Sequence, residues 1–251
     1  SPTTWMKTAA LEAFSDVVQS PKSSTPYLVA FDALRVLPHL TLGHFQVMAL
    51  TLLLQYSRNS NNYGRIHFQH YVEKYIEPFI SDLPHDSSFY RQLDYLRCTQ
   101  QERESVTLTQ LLSNSYPFVF NYRGFTKEEL FRATDGRGVD PRFVVRSLNS
   151  NLYKLAVVDE SLAQRFFREA RIPDPMEQRD LIALMKSKPT AFRGEEARQI
   201  MDDISPVLSD LARVYDESPM CSISLTLLGL YLGRAHVKAT IGEEFDLSHW
   251  F

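Results

Sequence analysis

Apolar residues in the first half of the chain recur every three or four positions, which is the spacing of one face of an α-helix. The first such segment runs from Thr4 to Gln19, and its spacing puts Trp5, Ala9, Phe14 and Val17 on roughly one side. Several segments with the same spacing follow it. The first half of the chain is therefore predicted to be a bundle of helices.

Two of the following helices are marked by capping residues as well as by spacing. Thr25 and Pro26 form an N-cap and first-position pair, which predicts a helix to about Leu37. Thr41 caps a segment that continues to about Arg58 and is apolar on nearly all sides. Because a helix without a polar face is normally buried, we expect this one at the centre of the bundle.

The stretch from Phe125 to Val158 has the sequence outline of a winged helix-turn-helix, with a helix, a glycine turn, a second helix and a short β segment. The pair Thr126 and Glu129 predicts a capping box at the start of the first helix. An Asp-Pro pair supplies the N-cap and first position of the second helix, which we expect to span about residues 140–151.

Three short β segments are predicted from β-branched, aromatic or alternating residues, at Tyr116–Phe120, Tyr153–Val158 and Ser222–Thr226. We expect the second and third to pair as one hairpin, with the helices between about Asp159 and Glu217 inserted between its strands. Thr226 is then the cap of a C-terminal helix.

These elements predict a mainly α fold, a multi-helix bundle with a small β-hairpin and a winged helix-turn-helix-like unit in the middle of the chain. We expect residues 1–115 to form an N-terminal helical bundle. Residues 116–251 are expected to form the winged-helix-like unit, with its helical insertion at about 159–217 and the C-terminal helix. A chain of 251 residues is long enough to bury a core in this arrangement.

The composition is that of an ordinary globular protein, with 44% apolar and 23% charged residues. A net charge of −3 argues against a protein whose whole surface attracts nucleic acid. The two cysteines form neither a disulfide framework nor a metal-ligand pattern, which favours a reducing, cytoplasmic location. The apolar runs, such as Met220 to Gly233, are too short for a membrane span, and we expect no signal peptide.

The winged-helix-like stretch is more basic than the rest of the chain. Residues 122–154 contain seven basic and four acidic side chains, a local charge of +3. A recognition helix offers arginine, asparagine and serine to phosphates and base edges. The candidate nucleic-acid-binding residues are Arg123, Arg137, Arg142, Arg146 and Asn149. The alternative for this stretch is a packing or dimerisation unit that binds no DNA.

Patterns for catalysis or metal binding are weak. His67, His70, Glu73 and Glu77 have ligand-like spacing, but they lie opposite an apolar stripe, and such a polar face is normally solvated. Cys98, which follows an arginine, is interpreted as a structural cysteine. The chain carries no nucleophile elbow, phosphate loop or dinucleotide fingerprint. We therefore expect no catalytic site, no metal and no cofactor.

The end of the chain carries two motifs, Leu225-Thr226-x-x-Gly229 before an apolar helix and Asp246-Leu247-Ser248-x-Trp250 after it. An earlier segment, Ala33 to Phe45, reads as a pair of helices. Together these segments resemble a loose group of uncharacterised bacterial proteins, some of which are associated with abortive infection, that is, defence against phage. The resemblance implies a bacterial, intracellular, non-enzymatic protein.

The lack of a catalytic pattern favours an interaction or regulatory protein, with a protein partner or a second copy of the chain. The alternative function is a DNA-binding protein that uses the predicted recognition helix. An enzyme assembled from scattered residues is a third hypothesis, which a deep polar pocket with convergent acidic or histidine side chains would favour.

Overall fold

The computed structural model describes residues 4–251. In this range the chain is mainly helical, with thirteen α-helices and two antiparallel sheets of two strands each, which confirms the predicted fold class. The helices are α1 (Thr4–Gln19), α2 (Thr25–Val36), α3 (Leu42–Gln55), α4 (Arg65–Tyr71), α5 (Ser87–Tyr95), α6 (Leu108–Ser115), α7 (Pro117–Phe120), α8 (Lys127–Ala133), α9 (Ala163–Glu169), α10 (Pro175–Met185), α11 (Gly194–Ile204), α12 (Pro206–Glu217) and α13 (Leu227–Ile241). The strands are β1 (Thr99–Gln101), β2 (Val144–Arg146), β3 (Tyr153–Leu155) and β4 (Ile223–Leu225). None of the helices described is both long and apolar enough to cross a lipid bilayer.

The chain folds into two compact units, each made of segments that are far apart in sequence. Unit 1 consists of Ser1–Ser57, Glu73–Thr107 and Asp210–Phe251, and unit 2 consists of Arg58–Val72 and Leu108–Ser209. This arrangement differs from the predicted division between residues 115 and 116. Helix α13, at the end of the chain, belongs to the same unit as the first three helices.

Unit 1 is built around helix α3, whose residues 43–54 are all buried, as its lack of a polar face predicts. Helix α13 packs against α3, α1 and α2, and α1 packs along α2. Thr226 caps α13, because its hydroxyl accepts a hydrogen bond from the Gly229 N–H at 3.1 Å. Strand β1 pairs with β4, with Thr99 opposite Leu225.

Unit 2 holds the predicted capping box and a hairpin of strands β2 and β3. The Thr126 hydroxyl accepts from the Glu129 N–H at 3.1 Å, and the Glu129 carboxylate accepts from the Thr126 N–H at 2.8 Å, which confirms the box. In the hairpin, Val144 lies opposite Leu155. The core of this unit consists of Phe118, Phe125, Leu130, Leu155, Val157, Ala163, Phe166, Phe167, Ile172, Leu181 and Met185.

The predicted pairing of Tyr153–Val158 with Ser222–Thr226 is wrong. Both segments contain strands, but β3 pairs with β2 in unit 2, and β4 pairs with β1 in unit 1. The loop of residues 147–152 between β2 and β3 is short. Pairing these strands therefore costs little conformational entropy, since the cost of closing a loop rises with its length. The partner strand Thr99–Gln101 is polar, so neither of its faces carries the apolar pattern of a buried strand.

The predicted recognition helix at residues 140–151 is also wrong. Asp140 caps as expected by accepting from the Arg142 N–H at 3.0 Å, but the helical segment is one 3₁₀ turn, Pro141–Phe143, before β2 begins. Two consecutive valines favour strand over helix at that point, because branching at Cβ restricts the side chain in a helix. In contrast, the segment 116–120 predicted as a strand forms α7, with Pro117 at its first position.

Candidate functional site

The five candidate nucleic-acid-binding residues all lie in unit 2, and most of them are engaged within the protein. Arg123 donates from Nη1 to the Asn149 carbonyl oxygen at 3.2 Å and forms an ion pair with Glu196 at 3.0 Å. Arg137 forms an ion pair with Glu177, 2.6 Å between nitrogen and oxygen. The charge of both arginines is therefore balanced by an acid that is distant in sequence.

The remaining two arginines lie on the β2–β3 hairpin and the turn before it. Arg142 donates from Nη2 to Asp140 at 2.7 Å, and these hydrogen bonds hold the pKa of the Asp140 carboxyl below its ordinary value. Arg146 has no acidic partner among residues 4–251 and lies over the ring of Tyr153 at 5.0 Å. Lys127 lies over the same ring at 5.1 Å. Arg146 is thus the candidate arginine without an acidic partner among the described residues, and it forms an exposed cationic surface together with Lys127.

Asn149 is buried in a polar network and does not face solvent. Its Nδ2 donates to the Phe120 carbonyl at 3.2 Å, while its Oδ1 accepts from Ser147 Oγ at 2.7 Å and from Lys154 Nζ at 3.1 Å. Lys154 also donates to the Val119 carbonyl at 2.6 Å. Because these three hydrogen bonds hold the side-chain amide of Asn149 inside the protein, it is not placed to contact a DNA base.

Lys154 has the most strongly perturbed pKa of the lysines and arginines in unit 2, and no local sequence pattern distinguishes it. Its ammonium group is buried and bonds to a carbonyl and an amide oxygen, without a carboxylate. Burial, and to a smaller extent the charge of Arg123, lowers the pKa of Lys154 from 10.5 to about 7. Because Nζ donates to two protein oxygens, we interpret Lys154 as a structural residue that holds the turn between β2 and β3.

The structure provides neither a metal-ligand cluster among the described residues nor a reactive thiol at Cys98. Within residues 4–251, no group of three or more His, Cys, Asp or Glu side chains is placed to hold a metal ion. Cys98 is fully buried, and burial raises the pKa of its thiol to about 12. A thiol with so high a pKa is protonated at neutral pH and is a poor nucleophile, which supports a structural role for Cys98.

Helices α1 and α2 of unit 1, which pack against each other, expose five large apolar side chains that we call the apolar stripe. On α1, Leu11, Phe14 and Val18 are 70%, 61% and 68% exposed, and on α2, Leu28 and Phe31 are 51% and 46% exposed. Steps of three and four residues place the α1 members on one face of the helix. The predicted grouping of Trp5, Ala9, Phe14 and Val17 on one side is therefore wrong for Phe14, which is exposed while Ala9 is buried.

The opposite face of α1 is fixed to the rest of unit 1. Ala9 and Ala13 are buried there, and Trp5 packs edge-on against the ring of Phe45 with 4.7 Å between centroids. Asp16 Oδ2 accepts a hydrogen bond from the Tyr231 hydroxyl at 2.5 Å. Because these contacts set the rotation of α1, the apolar stripe stays on the surface of unit 1.

Comparison with known proteins gives a family but no activity. A family model matches residues 11–251, nearly the whole chain. No curated protein and no solved structure matches the chain significantly. The match begins at Leu11, so the apolar stripe lies within the part of the chain that the family model covers.

Proposed function

We propose that this chain, which belongs to the family whose model spans residues 11–251, is a non-enzymatic interaction protein. In this role two copies of the chain associate through the apolar stripe. The observation that carries the proposal is the exposure of five large apolar side chains on two adjacent helices. Single apolar residues are normal on a protein surface, whereas a contiguous patch of several hundred Å² marks an interaction site.

A second copy of the chain is the partner that the apolar stripe fits. All five side chains are uncharged and need no hydrogen-bond partner, so the surface is complementary to itself, as a two-fold symmetric interface requires. Side chains spaced by three and four residues interdigitate between helices, so two α1–α2 pairs pack as four helices.

Replacing Phe14 with glutamate is expected to raise the dimer dissociation constant at least about tenfold, since truncating a central interface side chain typically costs about 2 kcal/mol. The change adds a charge that must be desolvated in the interface. Because Phe14 is mostly exposed in the isolated chain, the variant should fold. Sedimentation velocity over a hundredfold range of protein concentration measures the constant, and circular dichroism verifies the fold.

The matched control is Phe131→Glu on α8, because Phe131 is 57% exposed in unit 2 and lies outside the apolar stripe. We expect this variant to dimerise like the wild type. A wild-type chain that is monomeric throughout the series would overturn the proposal. So would equal weakening of the dimer by both substitutions, since that result would make the effect independent of the stripe.

DNA binding through a winged helix has little support, because the expected recognition helix is a 3₁₀ turn followed by a strand. Arg146 and Lys127 are exposed, and the exposed Arg142 shares its charge with Asp140. These cations neutralise few phosphates, and affinity for DNA scales with that number. The cytoplasmic location and the connection with phage defence stay predictions.

A further inference from the structure

Unit 2 contains an open cleft of about 130 Å³ that the interaction role does not use. Its lining combines three groups and Glu169. We call the apolar residues after position 142 the floor, Ser60, Asn61 and Tyr63 the polar wall, and the two arginines the rim. The lining residues are Ser60, Asn61, Tyr63, Arg142, Phe143, Ala156, Val157, Leu162, Arg165, Phe166 and Glu169. Apolar surface combined with a few convergent polar groups is the usual composition of a small-molecule site.

The floor of the cleft is aromatic. The rings of Phe143 and Phe166 are perpendicular, with 5.8 Å between centroids, and Leu162, Val157 and Ala156 complete the apolar surface. Phe143 is half-buried and Phe166 is 5% exposed, so Phe143 offers most of the aromatic surface against which a third ring can pack. The floor therefore suits a planar apolar group.

The polar wall is held in place before any ligand binds. Arg58 donates from Nη1 to Asp159 at 2.5 Å and from Nη2 to Ser161 at 3.0 Å. The Asn59 N–H and Asn62 Nδ2 both donate to the hydroxyl of Tyr116 at 3.1 Å. These bonds fix both ends of the segment that carries Ser60 and Asn61. Binding a ligand therefore costs little further conformational entropy in this segment.

The two arginines at the rim are oriented by acids and keep donors for a ligand. Arg142 uses Nε and Nη2 on Asp140, which leaves Nη1. Arg165 uses Nε on Glu169 at 2.9 Å, which leaves its Nη edge. A guanidinium group has five N–H donors, so one acidic partner does not saturate it. Ion pairs this exposed contribute little stability, and a ligand can compete with them.

We propose that this cleft binds a small organic anion in which an aromatic ring carries a phosphate or carboxylate. The ring lies on Phe143 and Phe166, and the anionic group accepts hydrogen bonds from Arg142 and Arg165. The volume equals that of roughly ten water positions, which limits the ligand to about ten non-hydrogen atoms. The cleft lies within unit 2 and the apolar stripe within unit 1, so the two proposals stand independently.

The test is isothermal titration of the full chain with phenyl phosphate, inorganic phosphate and phenol. Phenyl phosphate should bind at least about tenfold more tightly than either fragment, because only it reaches both the rings and the arginines. Arg165→Gln should weaken its binding at least about fivefold, because the charged acceptor loses its partner. Arg168→Gln is the matched control, since Arg168 is exposed on the same helix but does not line the cleft.

Three results would overturn the proposal. The first is no measurable heat of binding with phenyl phosphate at millimolar concentration. The second is equal affinity for phenyl phosphate and inorganic phosphate, which would show that the aromatic floor takes no part. The third is an Arg165→Gln variant that binds as tightly as the Arg168→Gln control, which would place the anion elsewhere on the surface.

Discussion

Replacing Gly229 with alanine is expected to lower the free energy of unfolding by at least about 4 kcal/mol, a loss confined to severe core disruptions. An added Cβ would lie 2.0 Å from the Cys98 carbonyl oxygen and 3.1 Å from its carbon. These are backbone atoms, so no side-chain rotation relieves the overlap. The same oxygen accepts from the Thr226 N–H at 3.1 Å, so moving Cys98 also disturbs the start of α13. Urea denaturation followed by circular dichroism measures the loss.

Two other glycines provide a graded control for this substitution. At Gly233, also on α13, an added Cβ would lie 2.8 Å from the Met48 carbonyl oxygen, so a smaller loss is expected. At Gly138 nothing lies within 4 Å, and only the positive φ of +68° opposes alanine, which costs about 1 kcal/mol. Within a helix such as α13, alanine is otherwise favoured over glycine by about 1 kcal/mol, so helix propensity alone would make Gly229→Ala and Gly233→Ala stabilising. If Gly229→Ala were as mild as Gly138→Ala, the close approach of α13 to Cys98 would be refuted.

Helices whose signals are local could be predicted from the sequence. The spacing predicted α1 and α2 nearly to the residue, although the N-cap of α2 is Ser24 and not Thr25. The uniformly apolar segment after Thr41 is the buried helix α3. The capping box of Thr126 and Glu129 and the cap at Thr226 involve residues only three positions apart. A hydrogen bond over that distance is settled by the sequence itself, almost independently of the tertiary fold.

Strand partners and the extent of the turn after Asp140 could not be predicted, because they depend on contacts between distant segments. Asp140 starts a helical turn, but the pairing of Val144 with Leu155 decides that a strand follows. Strand β1 pairs with β4, more than a hundred residues further along the chain. A polar segment such as Thr99–Gln101 carries no local pattern that would reveal that partner.

The candidate site was misplaced for a similar reason. Charge counting identified arginines but not the acids that balance them, and Glu177 and Glu196 lie far along the chain from Arg137 and Arg123. On α1, small residues such as Ala13 face the core while larger apolar residues face solvent. Helical spacing shows that two residues share a face, but it does not show which face is buried. The steps of three and four residues between Leu11, Phe14 and Val18 were the signal that could have revealed the stripe.

Between pH 7 and about pH 8.5, the wild-type chain should gain about 1.5 kcal/mol of stability from Lys154 alone. Burial lowers the pKa of this lysine to about 7 in the folded chain, whereas the unfolded chain keeps a pKa of 10.5. In this window the unfolded state binds more protons than the folded state, so raising the pH favours folding. Below about pH 6 the lysine is protonated in both states and the contribution is constant. Urea denaturation at several pH values measures the slope.

Lys154→Met should remove this pH-dependent gain, because methionine fills the space without a titrating group. Its absolute stability also changes, since the Val119 carbonyl and Asn149 lose a donor, so the slope with pH is the informative quantity. Lys154→Gln offers a second variant that keeps a donor if methionine prevents folding. Lys22→Met, an exposed loop substitution, should keep the wild-type slope. If the Lys154 variants and the Lys22 variant have the same slope, Lys154 is charged in the folded state throughout this pH range. The polar network around Asn149 must then admit enough water to solvate it.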